Sequence, residues 1–370
     1  MKILHLGKFC PPNEGGIEVF ICDLLEHLTF RGIKSDLLCF SIESKNDNHK
    51  RFKCFSCKTN IKFNSAPISI DYLKKFKEIV NNYDIIHVHC PNPFAEILSL
   101  FIPRQKKIIV HWHSDIVKQK LTYFFYKPFQ QVFLKRADKI ICTSPQYLDA
   151  SEQLRNFREK VFIVPLGLNI ERLYLLNNND LLLKLLINKL RGKRLVLSVG
   201  RFVEYKGFKY LVESAKYLKE DTILMIAGDG HLYRQIEEKI RKENLIGKVI
   251  LTGKIQNINV LLSNCDVFCL PSISKNEAFG LVLVEALYFG KPLVTTNVPG
   301  SGMNYVNKNG ETGLVVEPKN PKALAEAICK ILSDSELYDK FSRNAKERFK
   351  EFDISLIGDK IIKLYQEVLS

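Results

Sequence analysis

Two acidic residues eight positions apart, Glu277 and Glu285, are the most chemically pointed feature of the chain. Glu285 interrupts the run Leu281–Phe289, in which eight of nine residues are apolar. Such a run packs against a core on nearly every side, and an ionised carboxylate there is costly unless something specific pairs with it. Glu285 is therefore expected to face a polar ligand; a buried salt bridge is the competing structural reading. Ala278-Phe279-Gly280 leads into Leu281, and the free N–H groups and partial positive charge of a helix start suit a phosphate. Eight residues at ~1.5 Å each span about 12 Å along a helix. The two carboxylates can then meet opposite ends of an extended ligand, and a carboxylate accepts two hydrogen bonds from vicinal hydroxyls. A sugar, a diphosphate and a ribose fit that description. Taken alone, Glu277 reads equally well as an exposed loop glutamate.

Three further segments carry candidate chemistry. Val199-Gly-Arg201-Phe-Val-Glu-Tyr-Lys206-Gly follows an apolar strand and precedes a helical pattern. Its glycines let backbone approach a ligand, and Arg201 and Lys206 can flank one diphosphate and neutralise charge on a leaving group. Lys8-Phe-Cys-Pro-Pro-Asn-Glu-Gly15-Gly16-Ile-Glu18 follows the first strand; its glycine pair is a weak phosphate-cradle motif and lacks a dinucleotide fingerprint. His111-Trp-His113-Ser-Asp115 follows the strand beginning at Lys107, and His87-Val-His89 repeats the spacing one strand earlier. These alternating histidines are expected on opposite faces of their strands. A metal site would need a further histidine and a late aspartate from other strands, so no metal is expected. A single neutral His113 contacting a hydroxyl is favoured.

Short apolar runs alternate with helical patterns from end to end. Strands are expected at Lys2–Leu6, Lys34–Phe40, Ile85–His89, Lys107–His111, Lys139–Cys142 and Val161–Val164. A second series follows at Arg194–Val199, Thr222–Ala227, Lys248–Leu251, Val267–Leu270 and Pro292–Thr295. Helical patterns lie between them, as at Gly16–Arg31, Ile70–Asn81, Gly207–Leu218 and Leu232–Asn244. This is the signature of parallel sheets covered by helices. A break near Asn169–Lys193 separates two doubly wound α/β domains, whose ligands would lie beyond the carboxyl ends of the strands in a cleft between them. After Glu317 only helices are expected: Pro321–Leu332, Ser335–Phe349 and Ile354–Leu369.

The 370 residues suffice for two full cores. Net charge is +15, and residues 51–170 hold 19 basic against 9 acidic residues. Nucleic acid, anionic lipid and phosphorylated ligands are the partners such charge permits. Met1 leads directly into a strand, so no leader is expected, and no stretch approaches the ~18 apolar residues of a membrane span. The scattered cysteines, among them Cys39, Cys142 and Cys269, suggest reduced core thiols in a cytoplasm, and Cys54-Phe-Ser-Cys57 lacks a second pair at metal spacing.

The ordered set of motifs resembles the retaining glycosyltransferases of family 4, which have the GT-B fold. The matching pieces are Pro-Pro-x-x-Gly-Gly-x-Glu, His-Ser-Asp, Gly-Arg-x-x-x-x-Lys-Gly, Gly-Asp-Gly at 228–230 and Glu-x7-Glu, across nearly the whole chain. The resemblance implies two Rossmann-like domains, 1–170 receiving the acceptor and 171–353 binding a nucleotide sugar, with 354–370 returning to the first. It implies that Arg201 and Lys206 hold the diphosphate, Glu285 the ribose hydroxyls and Glu277 the donor sugar. Phe279, Gly280 and Leu281 help through backbone N–H groups, and Lys254 and Ile255 meet the base. Gly15 and Gly16 lie against the diphosphate, and His113 contacts the sugar. It further implies metal-independent front-face attack, in which a departing phosphate oxygen takes the acceptor's proton; no separate cofactor is expected.

Ile102–Lys139 interleaves nine cations, including Arg104, Lys118, Lys120, Lys127 and Lys135, with Tyr123, Phe124, Phe125, Tyr126, Phe129 and Phe133. Cations and aromatics on one helix suit a membrane interface; aromatic core with solvated lysines is the plainer reading. The leading expectation is a hexosyltransferase of surface polysaccharide or lipopolysaccharide synthesis. It would be cytoplasmic and peripheral on the membrane, using GDP-mannose or a UDP-linked hexose or N-acetylhexosamine and a glycan or lipid-linked acceptor, with no nucleic-acid partner. His113-Ser-Asp-Ile-Val resembles mannosyltransferase-like members. A sugar-nucleotide epimerase or phosphorylase on the same fold, and a basic membrane-binding protein without turnover, are the alternatives.

Overall fold

The computed structural model describes residues 1–9, 15–48, 51–63, 66–117, 120–175, 187–190, 192–255 and 257–370. The chain forms two compact units, Met1–Leu168 with Asp353–Ser370, and Asn169–Phe352.

The first unit is built on an eight-stranded sheet. Its strands are β1 (Lys2–Phe9), β2 (Lys34–Ser41), β3 (Lys45–Asn48), β4 (Lys53–Lys58), β7 (Ile85–Cys90), β8 (Lys107–Trp112), β9 (Lys139–Cys142) and β10 (Val161–Ile163), in the order β10-β9-β8-β7-β1-β2-β4-β3. A separate two-stranded ribbon pairs β5 (Ile61–Phe63) with β6 (Ala66–Ile68). All pairings in the large sheet are parallel except β3 with β4. Strand β7 is buried at every position, as expected of a central strand covered on both faces. The helix Gly16–Phe30 and the last helix, Ile354–Leu369, pack together in this unit, where His27 Nε2 lies 3.1 Å from Asp359 Oδ1.

The second unit holds a six-stranded, all-parallel sheet: β11 (Arg194–Val199), β12 (Thr222–Ala227), β13 (Val249–Gly253), β14 (Val267–Leu270), β15 (Leu293–Thr296) and β16 (Gly313–Val316). The order is β13-β12-β11-β14-β15-β16. The strand order reverses beside β11, the place where such sheets take ligands at their carboxyl ends. Helices Phe208–Ser214, Tyr233–Lys242 and Pro321–Ser333 cover one core, which contains Val196, Leu224, Val267, Leu211, Ile236 and Ile328.

Several short elements were absent from the sequence reading. Strands β3 to β6 lack the long apolar runs of the central strands, whereas β16, Gly-Leu-Val-Val, is a short apolar run just before Glu317. The polar Lys-Asn-Asp-Asn of β3 suits a sheet edge, where charge discourages further pairing. Cys142 and Cys269 are free and buried, as expected of core thiols, but Cys39 is disulfide-bonded, against the expectation of a fully reduced set. Lys118 and the expected entry Pro11-Pro12 lie outside the described residues, as does much of the expected linker, including residues 176–186.

Candidate active site

In the second unit, the carboxyl ends of neighbouring strands deliver the candidate donor-binding residues. Arg201 and Lys206 follow β11, Lys254 and Ile255 follow β13, and Glu277 follows β14. Gly207 has φ 69°, and a Cβ there would lie 2.2 Å from the Pro271 carbonyl oxygen. Gly228 has φ 138°, and its Cβ would lie 1.9 Å from the Gly200 oxygen. Only glycine lets these loops approach so closely. Gly228 thus draws the β12 loop onto the β11 loop, and Gly207 draws the β11 loop onto the β14 loop.

Lys206 and Glu277 meet in this space. Lys206 Nζ lies 2.6 Å from Glu277 Oε2, and each side chain is only 10% exposed. Ser272 Oγ donates to the same carboxylate oxygen at 3.0 Å. The Ser301 hydroxyl donates to the Glu277 carbonyl, and Gly302 N donates to Ala278 O at 2.8 Å. Arg201 is exposed and its Nη2 lies 3.5 Å from Tyr205 Oη. Lys254 is exposed and Ile255 half-buried.

The helix Leu281–Tyr288 begins with Gly280, whose φ of 81° no side-chain cap accompanies. Phe279 and Leu281 are buried beside it. Glu285 is buried one turn from the end of this helix, and it has a protein partner. Arg172 Nη2 lies 3.1 Å from Glu285 Oε1. Burial pushes the Glu285 carboxyl above the ordinary carboxylate range, and the Arg172 guanidinium opposes that rise. The Asn259 amide, donating to Leu173 O at 2.8 Å, ties the Arg172 segment in place. The salt bridge weighed against a ligand for Glu285 is therefore present, and it engages one carboxylate oxygen. Nothing in the sequence pointed to Arg172, which lies 113 positions away.

The first unit holds Gly15, Gly16 and His113. Gly15 and Gly16 are exposed at the start of the Gly16–Phe30 helix. His113 is one of five buried histidines on a single sheet face. The expectation that His111 and His113, and His87 and His89, point to opposite faces is wrong: residues two apart in a strand share a face. His5 of β1 sits opposite His87, and His89 sits opposite His111, in the strand registers. The rings stack with centroids 4.3–5.4 Å apart. The further histidine that a metal site would need comes from β1, as His5, in the same half of the chain. The nitrogens of His5, His87 and His89, and those of His89, His111 and His113, lie within 4.8 Å of one another. Burial holds His5 and His113 down to about 3 and the other three well below the ordinary imidazole range, so all five are neutral at pH 7.

Comparison with known proteins joins these sites to one family. The model described as Glycosyltransferase Family 4 matches residues 14–172, and that described as Glycosyl transferases group 1 matches residues 187–348. O-antigen chain mannosyltransferase C of Escherichia coli is 30% identical over 375 residues, covering 100% of this chain and 99% of its own length. The chain belongs to the family 4 glycosyltransferases. Another relative, D-rhamnosyltransferase WbpZ of Pseudomonas aeruginosa, is 29% identical over 95% of this glycosyltransferase and 92% of its own chain. The crystal structure of Anabaena Alr3699/HepE in complex with UDP superposes with a TM-score of 0.79 at 20% identity, covering 99% and 100% of the two chains. The glycosyltransferase thus has the GT-B fold, with two Rossmann-like sheets.

Proposed function

We propose that this glycosyltransferase moves a hexose, with retention of anomeric configuration and without a metal, from a nucleotide sugar to a glycan or lipid-linked acceptor of surface polysaccharide or lipopolysaccharide synthesis. GDP-mannose is the favoured donor, supported by the mannosyltransferase that matches along its whole length and by the His113-Ser-Asp-Ile-Val segment. The observation that carries the reading is the Lys206–Glu277 pair. A cation suited to a diphosphate and a carboxylate suited to sugar hydroxyls meet at the strand ends, where this fold class binds ligands.

In this mechanism Arg201 and Lys206 neutralise the leaving nucleoside diphosphate as the anomeric carbon gains oxocarbenium character. Glu285 takes the ribose hydroxyls through the oxygen that Arg172 leaves open, and Glu277 holds the donor sugar. Backbone N–H groups of Phe279, Gly280 and Leu281 face the phosphates, Lys254 and Ile255 the base, and Gly15 and Gly16 the diphosphate. His113 contacts a sugar hydroxyl, and a departing phosphate oxygen takes the acceptor's proton. Residues 1–170 receive the acceptor, 171–353 bind the donor and 354–370 complete the first domain.

The helix Lys120–Arg136 supports a membrane-facing acceptor site. Its inner side is anchored by buried Phe133 and Gln130 and by the Tyr126 hydroxyl donating to Glu96. Phe124, Phe125 and Phe129 are 71%, 69% and 52% exposed, and exposed aromatics beside cations suit the lipid interface. No described helix is long and apolar enough to cross a membrane, so association would be peripheral, on the cytoplasmic leaflet.

A panel of nucleotide sugars, read by thermal shift and slow donor hydrolysis, tests the donor. GDP-mannose should stabilise the protein most and be hydrolysed; stabilisation by none of the panel would sink the reading. NMR of the product should show the donor's anomeric configuration, and chelator should leave the rate unchanged.

A further inference from the structure

Nine of the sixteen exposed large apolar side chains among the described residues lie in two places of the first unit. Four belong to the helix Lys120–Arg136: Phe124, Phe125, Phe129 and Val132. The other five gather at the β5–β6 ribbon. Ile61 sits opposite Ile68 and Phe63 opposite Ala66, so Ile61, Phe63 and Ile68 share one face. They are 63%, 60% and 39% exposed, and Ile70, just beyond, is exposed as well. The opposite face turns inward: Pro67 is buried, and Lys62 Nζ lies 5.8 Å from the centre of the Phe9 ring. Thr59 N donates to Ser41 O at 3.0 Å, which brings the exposed Ile42 beside the base of the ribbon.

A two-stranded ribbon is marginal in water on its own, and this one pairs with no strand of the large sheet. Single exposed apolar residues need no explanation, but a cluster on one face marks a contact surface.

We propose that the β5–β6 ribbon inserts into an anionic lipid bilayer, as a second anchor beside the helix Lys120–Arg136. The inference rests on the reading of that helix as membrane-facing and adds a surface which that reading does not use. Charge is the first argument for this occupant. Residues 51–70 carry four cations and no acid, and residues 116–137 carry five cations and no acid. The acids beside the ribbon are engaged within the protein: Glu43 Oε2 lies 3.6 Å from Lys45 Nζ, and Asp71 accepts from the Ser44 hydroxyl at 2.6 Å. Cations around an apolar face match headgroup phosphates above acyl chains.

Position is the second argument. The ribbon follows β4, the helix Pro93–Ser99 follows β7, and the helix Lys120–Arg136 follows β8. These strands run parallel within one sheet, so all three elements leave its carboxyl edge. The helix Pro93–Ser99 touches both β6 and the helix Lys120–Arg136. The two cationic, apolar elements therefore flank a single short helix and can meet one lipid surface together.

Tryptophan placed at either element tests this in the full chain. The one native tryptophan, Trp112, is fully buried and gives a constant background. Phe63→Trp and Phe124→Trp, made separately, are mixed with phosphatidylglycerol–phosphatidylcholine vesicles brominated on their acyl chains. Both emissions should shift to the blue and be quenched, and brominated phosphatidylcholine alone should quench far less. Quenching in Phe124→Trp but not in Phe63→Trp would overturn the ribbon and leave the helix standing; the reverse would keep the ribbon and remove the helix; quenching in neither would overturn both. A blue shift of Phe63→Trp that grows with protein concentration without vesicles would overturn the bilayer in favour of a second copy. Ile61→Ser, Phe63→Ser and Ile68→Ser combined should weaken vesicle partitioning about tenfold or more, through lost apolar burial. Unchanged partitioning in that variant would overturn the proposal; should it not fold, the near-isosteric Phe63→Trp still decides.

Discussion

Lys206 Nζ and Glu277 Oε2 form a 2.6 Å ion pair in a nearly dry setting, braced by the Ser272 hydroxyl. Removing one partner of such a pair leaves an uncompensated charge and costs about 3–5 kcal/mol. Glu277→Ala should therefore lower stability in urea by a few kcal/mol. It should abolish transfer while nucleoside diphosphate affinity, measured by calorimetry, stays within a few fold. Transfer at the original rate would refute the role given to Glu277.

The pair of Glu285 with Arg172 sets a pH limit. Burial raises the Glu285 carboxyl and Arg172 opposes the rise. As pH falls through that raised value the carboxylate is protonated and accepts ribose hydroxyls less well, so donor KM should climb on the acid side. Arg172→Ala removes the opposing charge and should move the acid limb to higher pH. The linkage to folding has the opposite sense. With a folded value above the unfolded one, the stability Glu285 contributes is complete below the ordinary carboxylate range and is lost as pH rises through its folded value. Paired pH profiles of donor KM and urea midpoint check both signs, and an acid limb unmoved by Arg172→Ala would discount the pair.

Gly228→Ala should be disruptive at a site remote in sequence from every charged candidate. Its Cβ would lie 1.9 Å from the Gly200 oxygen at a φ of 138°, so the β11 and β12 loops must part. The expected outcome is a loss of about 1–3 kcal/mol, in the range of strained backbone, with donor affinity falling alongside. Gly192→Ala, where nothing lies within 4 Å, also has a positive φ of 82° and serves as the control for backbone strain without collision. Equal losses for the two would show that loop apposition is not what Gly228 provides.

Replacing Phe124, Phe125 and Phe129 together with serine should reduce co-sedimentation with vesicles containing anionic lipid. The unfolding midpoint should move little, because exposed positions usually matter within about 0.5 kcal/mol each. Co-sedimentation of the parent chain that ignores anionic lipid content would rule out the proposed docking face.

The strands of both sheet centres were legible because buried parallel strands read as apolar runs: Ile85–Cys90 and Thr222–Ala227 are buried throughout. Gly280 and the apolar run behind it likewise marked the helix that carries Glu285. What escaped the reading depends on distance or on period. Arg172 reaches Glu285 across 113 residues, and no local pattern encodes such a meeting. The histidines were misread because the two-residue period of a strand was applied with the wrong parity; read correctly, His87-Val-His89 and His111-Trp-His113 announce one shared face. Edge strand β3 has no apolar signal to find, since an edge is kept polar.

Leu168 and Asp353 pair as an isolated bridge, and Ile354 N donates to Leu168 O at 3.1 Å. The chain therefore leaves the first unit and re-enters it at adjacent points, so residues 169–352 are an insertion within a discontinuous domain. Met1 and Ser370 both lie in the host, not the insert. Shortening the C-terminus would strip Tyr365 from its 2.5 Å contact with His87 and unroof the histidine face of the host. The inserted half would lose none of its own strands.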